Sequence, residues 1–172
     1  MRITTATLSI SCLTLVGCGG GEAEEVVSSV SDSAAPWFVE EALARGLEWE
    51  HSRGTEIRFW FPEIMGPGLG VLDYDRDGDM DLYLVQSGDL KIADSAELGN
   101  RLFANDSAGV FSDVSAGSGA SDGGYGMGCA CADYDGDGWT DIYVTNVGPN
   151  ALLKNGGDGG FEELASAAGV DN

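Results

Sequence analysis

From residue 66 onwards, short apolar runs alternate with clusters of glycine and acidic residues. Runs such as "LGVLD", "DLYLV" and "DIYVTN" are short, apolar and bounded by turn residues. Runs of that length between turn signals belong to strands, since a helix takes about ten or more residues. Strands are predicted at about 68–73, 81–86, 101–104 and 109–114, and again at about 128–133, 141–146, 151–154 and 160–164. Turn residues fill the short gaps between them, which implies antiparallel pairing.

The two sets are copies. "GLGVLDYDRDGDMDLYLVQ" from Gly68 matches "GCACADYDGDGWTDIYVTN" from Gly128, 60 residues later. "NRLFANDSAGVF" from Asn100 matches "NALLKNGGDGGF" from Asn150, 50 residues later, and the longer loop "SGDLKIADSAELG" of the first copy accounts for the difference. A third element occurs three times as Phe, seven residues, Gly, then a small or apolar residue: Phe38–Gly46–Leu47, Phe111–Gly119–Ala120 and Phe161–Gly169–Val170. Repetition on this scale marks stacked supersecondary units. Units of four short strands are blades of a β-propeller.

Blades are therefore expected at about 66–120 and 126–172. The stretch "FVEEALARG" alone reads as helix, but the repeat register aligns it with the last strand of a blade and a turn ending at Gly46. Residues 38–42 are thus expected to form an N-terminal strand that completes a blade encoded further on. The expected fold is all-β, a partial propeller of about two four-stranded blades plus that strand. A four-bladed ring takes roughly 200–240 residues, so the chain is expected to be a fragment of a longer propeller.

Charge narrows the partners. The 29 acidic residues outweigh 8 scattered basic ones, for a net charge of −21. Nucleic acid, which needs clustered Lys and Arg, is excluded as an expected partner. A hydrophobic fraction of 43% is too high for a disordered acidic chain.

The N-terminus reads as a processing signal. "MRITTATLSISCLTLVGC" has one base and an apolar run too short to span a bilayer, which takes about 20 residues. "LVGC", ending at Cys18, resembles the lipobox of bacterial lipoproteins. The resemblance implies a signal peptide at 1–17 and lipidation of the Cys18 thiol. It also implies localisation to the bacterial cell envelope, at the outer membrane or cell surface, with the membrane contacted through the lipid anchor only. Residues 18–35 read as a flexible acidic tether and 36–172 as the repeat region. Cys129 and Cys131 fall on the register of Leu69 and Val71, which makes them core side chains rather than a redox pair or zinc ligands.

The acidic turns carry the candidate chemistry. Asp73, Asp75, Asp77 and Asp81 recur as Asp133, Asp135, Asp137 and Asp141, with Gly78 or Gly138 after the third acid. Two unit charges about 5 Å apart repel by roughly 3 kcal/mol at an effective dielectric near 20, so such a cluster calls for a cation. Carboxylates in this number suit Ca²⁺, with its six to eight oxygen ligands, and the carbonyls of Asp79 and Trp139 lie where a backbone ligand would complete each set. An EF-hand would place Glu at Leu84 and Val144, inside strands, so these are calcium loops between strands.

These loops resemble the FG-GAP (VCBS) repeat of integrin α-subunit propellers and bacterial surface proteins. More narrowly, "GLEWEH", "FPEIMGPGLGVLDYDRDGDMDLYLV" and "GNRLFAN" with "GVFSDV" resemble the start of cartilage acidic (ASPIC/UnbV-type) proteins. The resemblance implies Ca²⁺ held by the two acid sets and a propeller presenting loops to an extracellular protein or glycan. The expected function is a calcium-stabilised, adhesion-type binding module and not an enzyme. The alternative is part of a propeller-based, polysaccharide-active enzyme. The aromatic set Trp49, Phe59, Trp60 and Phe61 has two readings, a sugar-contacting surface or, more commonly, packing under the first blade. His51, the lone histidine, reads as structural.

Overall fold

The computed structural model describes residues 37–54, 59–88, 90 and 98–172. The signal, the tether and Cys18 lie outside the described residues, as does most of the long first-copy loop. Two compact units are distinguished, Met1–Phe38 and Val39–Asn172, and both sheets belong to the second. Among the described residues no helix is long and apolar enough to cross a membrane.

The first sheet has the order β1 (Leu69–Leu72), β2 (Asp81–Leu84), β3 (Arg101–Asn105), β4 (Phe111–Asp113), and the second β5 (Gly126–Ala132), β6 (Asp141–Asn146), β7 (Ala151–Asn155), β8 (Phe161–Glu163). Every neighbouring pair is antiparallel. All eight expected strands are present, within a few residues of their expected ends. The described residues form an all-β arrangement of two four-stranded meanders, consistent with part of a propeller.

The apolar runs supply the core. Tyr83, Val85, Ile142 and Val144 are fully buried and join Leu72, Leu102, Leu153 and Phe161 in one apolar core. Cys129 and Cys131 pack on this core as free, half-buried thiols. Opposite them β1 carries Gly70, where a Cβ would sit 2.7 Å from the Cys131 Sγ. Hydrogen bonds repeat with the sequence. The Tyr83 hydroxyl donates to the Ala120 carbonyl at 2.8 Å, and the Tyr143 hydroxyl donates to the Val170 carbonyl at 2.9 Å. Each blade thus ties down the residue that follows its Phe-x7-Gly glycine.

The N-terminal strand is corrected. Residues 38–42 form no strand; a 3-10 turn (Leu43–Arg45) follows, closed by Gly46 in the left-handed conformation. A strand needs a partner for its amides. Here the Ala42 carbonyl accepts from Leu47 N–H at 2.8 Å, the Glu41 carbonyl accepts from Arg45 N–H at 2.8 Å, and the Ala42 N–H donates to its neighbour Glu40. The turn ending at Gly46 is as expected.

The aromatic set is corrected in part. Phe61 opens a short helix, α1 (Phe61–Met65), started by Pro62 in its first turn and by Glu63, whose carboxylate accepts the Trp60 N–H at 3.1 Å. Phe59 and Phe61 are 76% and 71% exposed, so they do not pack under the first blade. Trp49 is half-buried, tilted against His51. A second short helix, α2 (Ala165–Ala168), ends at Gly169.

His51 is part-buried and hydrogen-bonded. Its Nε2 lies 3.0 Å from the Ser87 Oγ, which in turn donates to the Gly126 carbonyl, so the imidazole donates and links the 50–52 segment to both sheets. Burial first, and the Arg53 charge second, push its pKa below the ordinary 6.5. The unfolded chain therefore takes up this proton first as pH falls. The His51 contribution to stability is complete above 6.5 and declines below it. Between about pH 7.5 and about pH 5.5 the melting temperature of the parent is expected to drop further than that of His51→Gln. Equal drops in thermal melts would show that His51 does not titrate in this way.

Candidate metal centre

Each acidic loop joins the first two strands of its blade, and the second loop takes the same path as the first. Arg76 stands at φ +62 where the second loop has Gly136 at +78, a conformation that costs a side-chain-bearing residue about 1–2 kcal/mol. The last acid of each loop begins the next strand. Asp81 and Asp141 are 0% and 1% exposed. Asp81 accepts the Tyr74 N–H at 2.9 Å and the Asn105 N–H at 2.8 Å, one on each oxygen. Asp141 accepts the Tyr134 N–H at 3.0 Å and the Asn155 N–H at 2.8 Å in the same way. These carboxylates therefore hold the base of the loop against the end of the third strand.

Above this base the acids converge. Oxygens of Asp73, Asp75 and Asp81 lie within 4.8 Å of one another, as do those of Asp133, Asp135 and Asp141. Each trio could hold a metal ion. Asp77 and Asp137 stand beside the trios and each accepts the N–H two residues on, of Asp79 and Trp139, at 2.9 Å. Asp79 and Trp139 enter the geometry through these amides.

Electrostatics favour positive charge in the first loop. Burial, chiefly, raises the Asp81 pKa; the amides of Asn105 and Tyr74 oppose this, and the charges of Asp75 and Asp77 add to it. A carboxylate whose anion is disfavoured by burial and by like charges gains from a cation beside it. Asp73 leaves an acceptor unused beside it: its Oδ1 is buried and has no hydrogen-bond partner, while its Oδ2 accepts the Gly78 N–H at 3.2 Å. An orphaned buried oxygen among converging carboxylates, with no nitrogen or sulfur donor in the trio, fits a hard, oxygen-seeking cation.

The second loop differs. The Lys154 ammonium on β7 bonds Asp135 and lies 2.8 Å from the Asp137 Oδ2. The Asp137 carboxyl is held below its usual range by Lys154 first and the Trp139 amide second, while the two carboxylates raise the Lys154 ammonium. Between the loops, the Arg76 guanidinium lies 5.1 Å from the centre of the Trp139 ring.

Sequence reasoning missed the Asn105 and Asn155 amides, Lys154, and the Arg76–Trp139 contact. The repeated Asn closing "NRLFAN" and "NALLKN" was the signal for the first pair. Nothing local pointed to the others. No curated protein matches the chain. Residues 73–144, from the first acid of the first loop to the middle of β6, match the FG-GAP-like repeat.

Proposed function

We propose that this chain is part of a calcium-stabilised propeller that binds a protein or glycan in an adhesion-type role. The observation that carries the metal is the orphaned Asp73 Oδ1 within a converging carboxylate trio. Calcium would be held by Asp73, Asp75 and Asp81 with Asp77 and the Asp79 carbonyl. In the second loop Asp133, Asp135 and Asp141 would serve, with Asp137 and the Trp139 carbonyl. Bound calcium supplies charge neutralisation across each loop. The chain's own residues position it, because Asp81 and Asp141 are fastened to the third strand.

The FG-GAP-like repeat supports the adhesion-type role. The exposed Phe59 and Phe61 supply flat apolar surface of the kind that sugar rings stack upon. Binding rather than catalysis is proposed because the loop acids serve as ligands and amide acceptors. His51 offers no activated nucleophile, since its partner Ser87 is 2% exposed and already donates to a carbonyl. Envelope localisation and a lipid on Cys18 are proposed from the "LVGC" stretch, and the narrower ASPIC/UnbV-type kinship from the quoted stretches at residues 46–51, 61–85, 99–105 and 109–114.

Thermal melts in about 1 mM calcium and in excess chelator test the metal, and a rise of several degrees in calcium is expected. Identical melts and no calcium uptake by dialysis would defeat it. Capture on a glycan and protein panel, with Phe61→Ala alongside, tests the ligand surface. Capture that needs neither calcium nor Phe61 would place binding elsewhere.

A further inference from the structure

Resting on the calcium reading above, we infer that Lys154 is a built-in counter-cation of the second loop, so that two loops of matching sequence take calcium with unequal affinity. The first loop is the tight site. The second fills only by displacing an ammonium that already sits among its ligands.

The repeat register makes the comparison direct. Lys154 occupies the position on β7 that Ala104 occupies on β3. The Lys154 side chain is only 27% exposed and its Nζ reaches both Asp135 and Asp137. Alanine reaches neither counterpart, and among the described residues no Lys or Arg pairs with Asp73, Asp75, Asp77, Asp79 or Asp81. Arg76, within the first loop, instead lies over the Trp139 ring of the second.

The first acid of each loop points the same way. Asp73 keeps one buried oxygen without a partner. Both oxygens of Asp133 are taken: Oδ1 accepts the N–H groups of Gly136 at 2.8 Å and Asp137 at 3.1 Å, and Oδ2 accepts that of Gly138 at 2.9 Å. Loop charge alone does not separate them, since Asp79 is replaced by Trp139 but Arg76 by Gly136, which leaves both loops equally negative. What separates them is that the first keeps an unmet oxygen and the second receives its own cation, Lys154.

Tethering makes the competition intramolecular, so it does not depend on protein concentration, although salt weakens it by screening. The ammonium is held by its strand at high local concentration, and calcium must break two charge-assisted hydrogen bonds to replace it. Charge-assisted contacts at partly exposed positions are individually modest, and together they set a difference on the order of tenfold in affinity.

The test is calorimetric calcium titration of the full chain, its Lys154→Met variant and its Ala104→Lys variant. Methionine keeps most of the apolar stem of lysine and removes the charge. The parent is expected to show two unequal sites. Lys154→Met is expected to tighten the weaker site by about tenfold and leave the stronger unchanged. Ala104→Lys is expected to weaken the stronger site, which keeps the inference testable if either variant folds poorly. Circular dichroism in chelator checks that each variant folds. Two equal sites in the parent, or a weak site that Lys154→Met leaves unmoved, overturn the inference and leave the calcium reading standing. No calcium uptake by any of the three proteins overturns the calcium reading and this inference with it.

Discussion

Asp81→Ala is expected to lose about 2–6 kcal/mol more stability than Asp75→Ala, measured by urea unfolding in chelator. Both changes remove one charge from the same crowded loop, so both relieve the same kind of repulsion. They differ in what they break. Asp75 is exposed and accepts only the Asp77 N–H, at 3.2 Å. Asp81 is fully buried and is the acceptor for the amides of Tyr74 and Asn105. Without it a buried N–H, of Tyr74, and a part-buried one, of Asn105, are left unpaired, at about 1–3 kcal/mol each. Against a total stability of about 5–15 kcal/mol for a typical domain, that loss is large. Asp81→Asn should fall between, because its carbonyl still serves Asn105 while its amide faces another donor at Tyr74. Calcium should rescue Asp75→Ala poorly at the first site and Asp81→Ala hardly at all. Equal unfolding midpoints for Asp81→Ala and Asp75→Ala in chelator would show that the buried carboxylate holds nothing together.

The second large effect is expected at Gly119. Gly119 sits at φ +73, and a Cβ there would lie 2.1 Å from the Phe161 carbonyl oxygen. The same relation joins Gly46 to Phe111, at 2.2 Å. Two of the three Phe-x7-Gly glycines therefore press on the outer strand that follows them, Gly46 on β4 and Gly119 on β8. Gly119→Ala combines left-handed strain of about 1–2 kcal/mol with a backbone clash costing about 1–3 kcal/mol to relieve. A loss of about 2–5 kcal/mol is expected. Gly169 has the same conformation, φ +71, but nothing lies within 4 Å of its Cβ position. Gly169→Ala should therefore show the conformational cost alone, about 1–2 kcal/mol. Denaturant unfolding of the two variants separates clash from strain, and equal losses would remove the close approach as the reason for the motif.

Much of this was legible because it is local. Short apolar runs, turn glycines and the spacing of acids each act within a few residues. The 60-residue register therefore placed β1, β2, β5, β6 and both acidic loops, and the 50-residue register placed β3, β4, β7 and β8. The first register aligned Cys129 and Cys131 with Leu69 and Val71 as core positions, but Leu69 and Val71 are 57% and 54% exposed, while the two thiols are half-buried against Gly70. The same reasoning failed at residues 38–42. The register aligned them with β4 and β8, but a strand exists only where another backbone accepts its hydrogen bonds, and the local carbonyls took them into a turn instead. It also left the aromatic set undecided, since exposure of Phe59 and Phe61 depends on what else covers that surface.

The order of residues alone determined the repeat, its four-stranded units and two loops rich in carboxylate at matched positions, because these follow from run length and turn chemistry within each copy. Only the tertiary structure decided how the loops differ. It put Asp81 and Asp141 against the amides of Asn105 and Asn155, brought Lys154 from β7 onto the second loop, and laid Arg76 of one loop across Trp139 of the other. Those contacts join residues 14 to 63 positions apart, and strand pairing and blade stacking set such distances, not any local pattern.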